Sequence, residues 1–151
     1  MLKELLTYFL SQSSNEAKAF GHLYESIALI QREKRCQSFW LPHRTHCKNF
    51  IASHLSLAKK KRAVLILGSG PLHEIPLAII AENFERVDLV DMVHLKETKK
   101  TYAHLKNVRF IQADITGLEA KILKEKKTVH LPPSLFLDQD YDLVISAHLL
   151  S

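Results

Sequence analysis

Five apolar residues in succession, Ala63-Val64-Leu65-Ile66-Leu67, run directly into Gly68-Ser69-Gly70. An unbroken apolar run of this length predicts a strand buried on both faces, as in a parallel sheet. Strand and helix patterns then alternate. A helix is expected from Pro76, a residue suited to a first helical turn, to about Asn83. A second strand, Arg86–Val90, closes on Asp91, and a helix follows around Leu95–Leu105. A third strand, Val108–Ala113, closes on Asp114. A short helix from about Leu118 to Lys126 leads to a loop with Pro132-Pro133, and a last strand covers Tyr141–Ser146. Strands alternating with helices imply a parallel sheet with right-handed crossovers. The expected class is α/β: a Rossmann-like sheet of order 3-2-1-4 over residues 63–151.

Upstream the apolar spacing is helical. Ala17, Phe20, Leu23, Tyr24, Ile27 and Ile30 fall on one stripe of a segment running from Ser14 to Lys34, with Ser13, Ser14 or Asn15 available as N-cap. The pattern breaks over Arg35–His46, with a bend expected at Phe39-Trp40-Leu41-Pro42. A second helix is expected over Asn49–Ala58, with Phe50, Ile51, Leu55 and Ala58 as its apolar face. Met1–Leu10 reads as a short helix, since it carries Lys3 and Glu4 and lacks a small-residue cleavage site. Residues 1–62 therefore form a helical cap ahead of the sheet. The sequence ends at Ser151, soon after the fourth strand. The expectation is an incomplete domain whose fourth strand is an uncovered hydrophobic edge, open to pairing with a second copy.

Composition narrows the class without choosing a function. An apolar content of 46% with 25% charged residues suits a soluble globular domain. No apolar run approaches a membrane span. Two cysteines, Cys36 and Cys47, make no disulfide framework, so a reducing cytoplasm is expected. The net charge of +5 is uneven: residues 1–62 hold 11 Lys/Arg against 4 Asp/Glu. That asymmetry suits an acidic partner or nucleic acid, or simply a solvated helical segment with Lys59-Lys60-Lys61-Arg62 at a helix C-terminus. His43, His46, Cys47 and Cys36 match no standard zinc spacing, and no metal is expected.

The candidate chemistry lies where the strands end. Gly70 stands 21 residues before Asp91, close to the roughly 20 separating a glycine turn from a ribose-binding acid in nucleotide-binding folds. Leu-Gly-Ser-Gly-Pro after the first strand, Asp91 after the second, Gln112-Ala113-Asp114 after the third and Tyr-Asp-Leu-Val-Ile-Ser-Ala-His at the fourth resemble the ordered motifs of class I S-adenosylmethionine-dependent methyltransferases. The resemblance implies a cofactor, S-adenosylmethionine, and a role for each residue. Gly68, Ser69 and Gly70 would form the turn against which the methionyl part lies, where a Cβ at Gly70 would push the ligand away. Asp91 would bind the ribose hydroxyls, and Met92 would pack on the adenine. Asp114 would accept a hydrogen bond from the adenine amino group, with Ile115 beside the ring. Ser146, Ala147 and His148 would lie near the transferable methyl, with His148 the candidate base.

The chain departs from that pattern in two places. His73 stands where a third small residue is usual, and Leu65 or Leu67 where an acid often contacts the methionine amino group. The glycines would also serve a bare strand-to-helix turn, Asp91 and Asp114 would also serve as helix N-caps, and His148 as a structural strand-end residue. Two other functions share part of the signature: a non-catalytic cofactor-binding or interaction module, and a nicotinamide-dependent oxidoreductase. The missing third glycine and the acid after the third strand count against the latter.

Overall fold

The computed structural model describes residues 15–115 and 139–147. Its helices are α1 (Asn15–Ala19), α2 (His22–Arg35), α3 (Gln37–His54), α4 (Leu77–Asn83) and α5 (Lys96–Thr101). Its strands are β1 (Ala63–Leu67), β2 (Arg86–Asp91), β3 (Val108–Gln112) and β4 (Leu143–Ser146). The expected segments at Met1–Leu10, Leu118–Lys126 and Pro132-Pro133 lie outside the described residues, as do the Ser13 and Ser14 caps. The strands form one parallel sheet of order β3-β2-β1-β4, an open α/β sheet consistent with a Rossmann-like fold.

The register gives each face of the sheet a distinct composition. Val64, Val87, Val108 and Leu143 lie level on one face, and Ile66, Leu89, Phe110 and Ile145 form the next row. This face meets Leu72, Ile75, Leu77, Ile80 and Phe84, together with Leu55 and Ala58 of the helical region, in the main core. Burial of each aliphatic side chain there contributes about 1.5–3 kcal/mol. The opposite face carries Leu65, Asp88, Arg109 and Val144 in one row. Asp88 is wholly buried, and Arg109 donates to both its oxygens at 2.6 Å. Tyr141 Oη donates to Asp88 Oδ2 at 2.7 Å, and Arg86 Nε lies 3.3 Å from the same oxygen. A buried carboxylate is tolerated in a sheet only with such pairing.

The helical region differs from expectation in two places. The single stripe over Ser14–Lys34 is divided, because Gly21 takes a left-handed conformation (φ 79°) between α1 and α2. The break turns Phe20 and Tyr24 outward, to 38% and 66% exposure, while Ala17, Leu23 and Ile27 stay buried. Conversely, the bend expected at Phe39–Pro42 is absent: α3 is continuous from Gln37, with Pro42 inside it. Proline removes one backbone bond and crowds the carbonyl four residues back. Only about one turn precedes Pro42, so little helix has to adjust. Among the described residues of α3 none is buried, and Phe39, Leu41 and Phe50 are exposed. The helix is held instead by Ile51, which packs on the main core, and by Arg44, which donates to buried Glu33 of α2.

Smaller shifts concern element ends. The helix expected around Leu95–Leu105 is shorter, Lys96–Thr101, and β4 begins at Leu143. The basic run after α3 has tasks beyond solvation. Lys61 Nζ donates to the Leu55 carbonyl and lies 4.8 Å over the Phe84 ring. Arg62 binds Asp142 through its side chain and its backbone N–H, each at 2.9 Å, tying the start of β1 to β4. No described helix is long and apolar enough to cross a membrane.

Candidate functional site

Every strand ends on the same side of the sheet, and the register brings the ends level. Leu67 pairs with Val90 on one side and with Ser146 on the other, while Asp91 pairs with Gln112. Gly68-Ser69-Gly70, Asp91, Asp114 and Ser146 therefore follow or occupy the carboxyl ends of β1, β2, β3 and β4. In open α/β sheets ligands bind at this edge, where the strand order reverses. Here the reversal falls between β1 and β4, at Gly68 and Ser146.

The turn after β1 is built from backbone. Gly68 and Gly70 have φ of 65° and 52°, a region that glycine enters without Cβ strain. The N–H groups of Gly68 and Ser69 both donate to the Val90 carbonyl, at 2.9 and 3.2 Å. Asp91 closes the turn: its Oδ2 accepts from Gly70 N at 2.7 Å and its Oδ1 from Val93 N at 3.2 Å. Each carboxylate oxygen keeps lone-pair capacity for a further donor. Leu72, also left-handed at φ 67°, is buried at 1% exposure, a conformation costing about 1–2 kcal/mol in a non-glycine residue. Ser69 is fully buried, and its Oγ has no hydrogen-bond partner among the described residues.

The other expected residues are placed as follows. The glycine turn is not followed at once by a helix. α4 starts only at Leu77, so His73 lies in a loop and the helix N-terminus is seven positions from Gly70. Met92 packs beside Ala17, Leu23, Ile27, Val93 and Leu95, where α1 and α2 cover the end of β2. Asp114 and Ile115 are half-buried just beyond β3, and Ser146 is exposed at the end of β4. His148 lies outside the described residues. On α3, Arg44 turns to Glu33, while His43 lines a cavity beside β4.

One feature escaped the sequence reading. His94, three residues past Asp91, is buried, and its Nε2 lies 3.0 Å from the Ile111 carbonyl. Burial holds its pKa below the usual histidine range against that hydrogen bond and the nearby Asp91 charge. The imidazole is thus a neutral strut between the ends of β2 and β3, set edge-on to Phe110 at 5.2 Å. A buried histidine next to apolar residues carries no periodic signal. His43 and Cys47 are neighbours on α3, with Nε2 3.5 Å from Sγ. Among the described residues no group of three or more His, Cys, Asp or Glu side chains gathers as a metal centre would.

Compared with protein-family models, curated proteins and solved structures, the chain finds no significant match.

Proposed function

We propose that the chain binds S-adenosylmethionine at the carboxyl edge of its sheet and acts as a methyltransferase. One observation carries the reading: a glycine turn with two left-handed residues is hydrogen-bonded to the acid of the next strand, at the point where the strand order reverses. Asp91 retains acceptor capacity for ribose hydroxyls. Asp114, one strand further, suits an adenine amino group, and Ser146 sits across the reversal from Gly68. Residues 1–62 would serve as the cap and 63–151 as the cofactor domain. Methyl transfer from a sulfonium needs a leaving group already in place and a well-aligned acceptor, so the protein's work is mainly orientation. The two thiols, Cys36 and Cys47, are free, which fits the reducing cytoplasm we assign to it.

Titration calorimetry tests the cofactor directly. Heat is expected with S-adenosylmethionine and its demethylated product and none with NAD, and Asp91→Ala should weaken binding at least about tenfold. Silence toward both sulfur compounds overturns the proposal. A second reading, a non-catalytic cofactor-binding or interaction module, is favoured by one feature: both Asp91 oxygens already accept from backbone N–H groups, one of Gly70 and one of Val93. It predicts cofactor binding without transfer of labelled methyl to any acceptor pool. Self-association accompanies either reading. β4 pairs with β1 alone among the described strands, and Val144 on it is 54% exposed. An unpaired strand edge of this kind invites a second copy.

A further inference from the structure

Lys34 of α2 and Arg44 and Lys48 of α3 converge with Lys96 and Lys100 of α5 around one cavity of about 750 Å³. Glu97 is the carboxylate in its lining, and buried Glu33 beside it is bound to Arg44. Ile27, Ile30, Leu72 and Leu95 supply apolar wall. Pro71 and His73 bring the loop after β1 to its edge, so it lies on the carboxyl side of the sheet. In its wall Arg44 Nε and His73 Nε2 are buried without a hydrogen-bond partner among the described residues, His73 Nε2 lying 4.0 Å from Glu33 Oε2.

We propose that this cavity binds a phosphate-bearing small molecule with an apolar body. Its volume falls within the roughly 300–1,000 Å³ of small-molecule sites, and the cations surround a concave floor instead of tracking a stripe as a nucleic-acid surface requires. Like-signed charges around low-dielectric walls concentrate the field on an anion in their midst. S-adenosylmethionine is the wrong occupant: its sulfonium and ammonium outweigh its carboxylate, and the lysines would repel it. Gly68, Ser69, Gly70 and Asp91 are not in its lining, so the proposal stands whether or not the glycine turn holds the cofactor.

The test uses the full chain, with 1-naphthyl phosphate as probe and inorganic phosphate and 1-naphthol as its two halves. The probe is expected to bind more tightly than either half, and more weakly as salt screens the lysines. Lys96 and Lys100 are exposed and four apart on α5, so they can be changed without disturbing the core. The K96E/K100E double variant should weaken the probe about tenfold or more, K96Q/K100Q by less, with unaltered thermal midpoints. Calorimetry with S-adenosylmethionine should give the same result in the wild type and both variants, which separates this proposal from the cofactor reading. Equal probe affinity in all three proteins overturns it, as does 1-naphthol binding as tightly as its phosphate. Displacement of the probe by oligothymidylate at lower concentration than by inorganic phosphate also overturns it, by making the surface a nucleic-acid groove.

Discussion

Replacing Asp88 by asparagine keeps the shape of the side chain and removes the charge at the centre of the buried cluster. Asp88 has no exposed surface and accepts from Arg109 Nε, Arg109 Nη2 and Tyr141 Oη at 2.6, 2.6 and 2.7 Å. Removing one member of a buried pair costs about 3–5 kcal/mol, because the other charge is left without compensation. The Arg109 side chain is 53% exposed, so water can take over part of its solvation. The lower end of that range, about 3 kcal/mol, is therefore expected. At about 2–4 °C per kcal/mol for a chain of this size, the thermal midpoint should fall by about 6–12 °C. Urea denaturation followed by circular dichroism measures the free energy directly. Adding R109Q and the double variant completes a cycle, whose coupling should exceed about 1 kcal/mol.

The same variant has a pH signature. Burial pushes the Asp88 carboxyl up, but hydrogen bonds from Arg109 and Tyr141 and the positive charges of Arg109 and Arg86 outweigh it and hold the carboxyl below its usual range. A carboxyl with a depressed folded-state pKa stabilises above its unfolded value of about 4 and loses that stabilisation as pH falls through the folded value. Wild-type stability should therefore decline in acid more steeply than that of D88N. Tyr141, pushed up to about 12 by burial and by Asp88, stays protonated as donor through the neutral range. A loss below about 0.5 kcal/mol, within the scatter of ordinary surface changes, would falsify the account of this cluster.

Three further expectations follow from particular residues. His94 is held neutral by burial, so its contribution is complete above about pH 6.5 and is lost as pH falls through its lower folded-state value; H94Q should flatten that part of the stability–pH curve. Gly70→Ala forces an L side chain into φ 52° and should cost about 1–2 kcal/mol in urea denaturation, and an unchanged midpoint would show that the turn is not held in that conformation. Val144→Lys places a charge on the exposed edge strand and should shift light-scattering mass toward the monomer at high protein concentration, while an unchanged mass excludes that edge from self-association.

Much of the sheet was legible because buried parallel strands require continuous apolar runs. Ala63–Leu67 announces β1 by itself, and the positions of β2 and β3 followed within a residue or so at each end. The helical region was less legible. Propensity placed a bend at Pro42 where tertiary anchoring through Arg44 and Ile51 keeps α3 whole. It also passed over Gly21, because one glycine within a periodic stripe does not reveal its backbone angle.

The candidate site divides along the same line. Local chemistry along the chain already linked the glycine turn, Asp91, Asp114 and Ser146 to strand ends, since strand length and alternation are set by neighbours in sequence. The contact between the Asp91 carboxylate and Gly70 N depends on strands packing side by side, as does the Asp88–Arg109 pair across β2 and β3. The basic cavity needs more distant parts still. Its cations come from helices α2, α3 and α5, separated along the chain by the whole of β1 and β2. Charge counts alone show that the first 62 residues are basic. Only the folded arrangement decides that those charges meet, because electrostatic fields depend on separation in space, and sequence order does not record it.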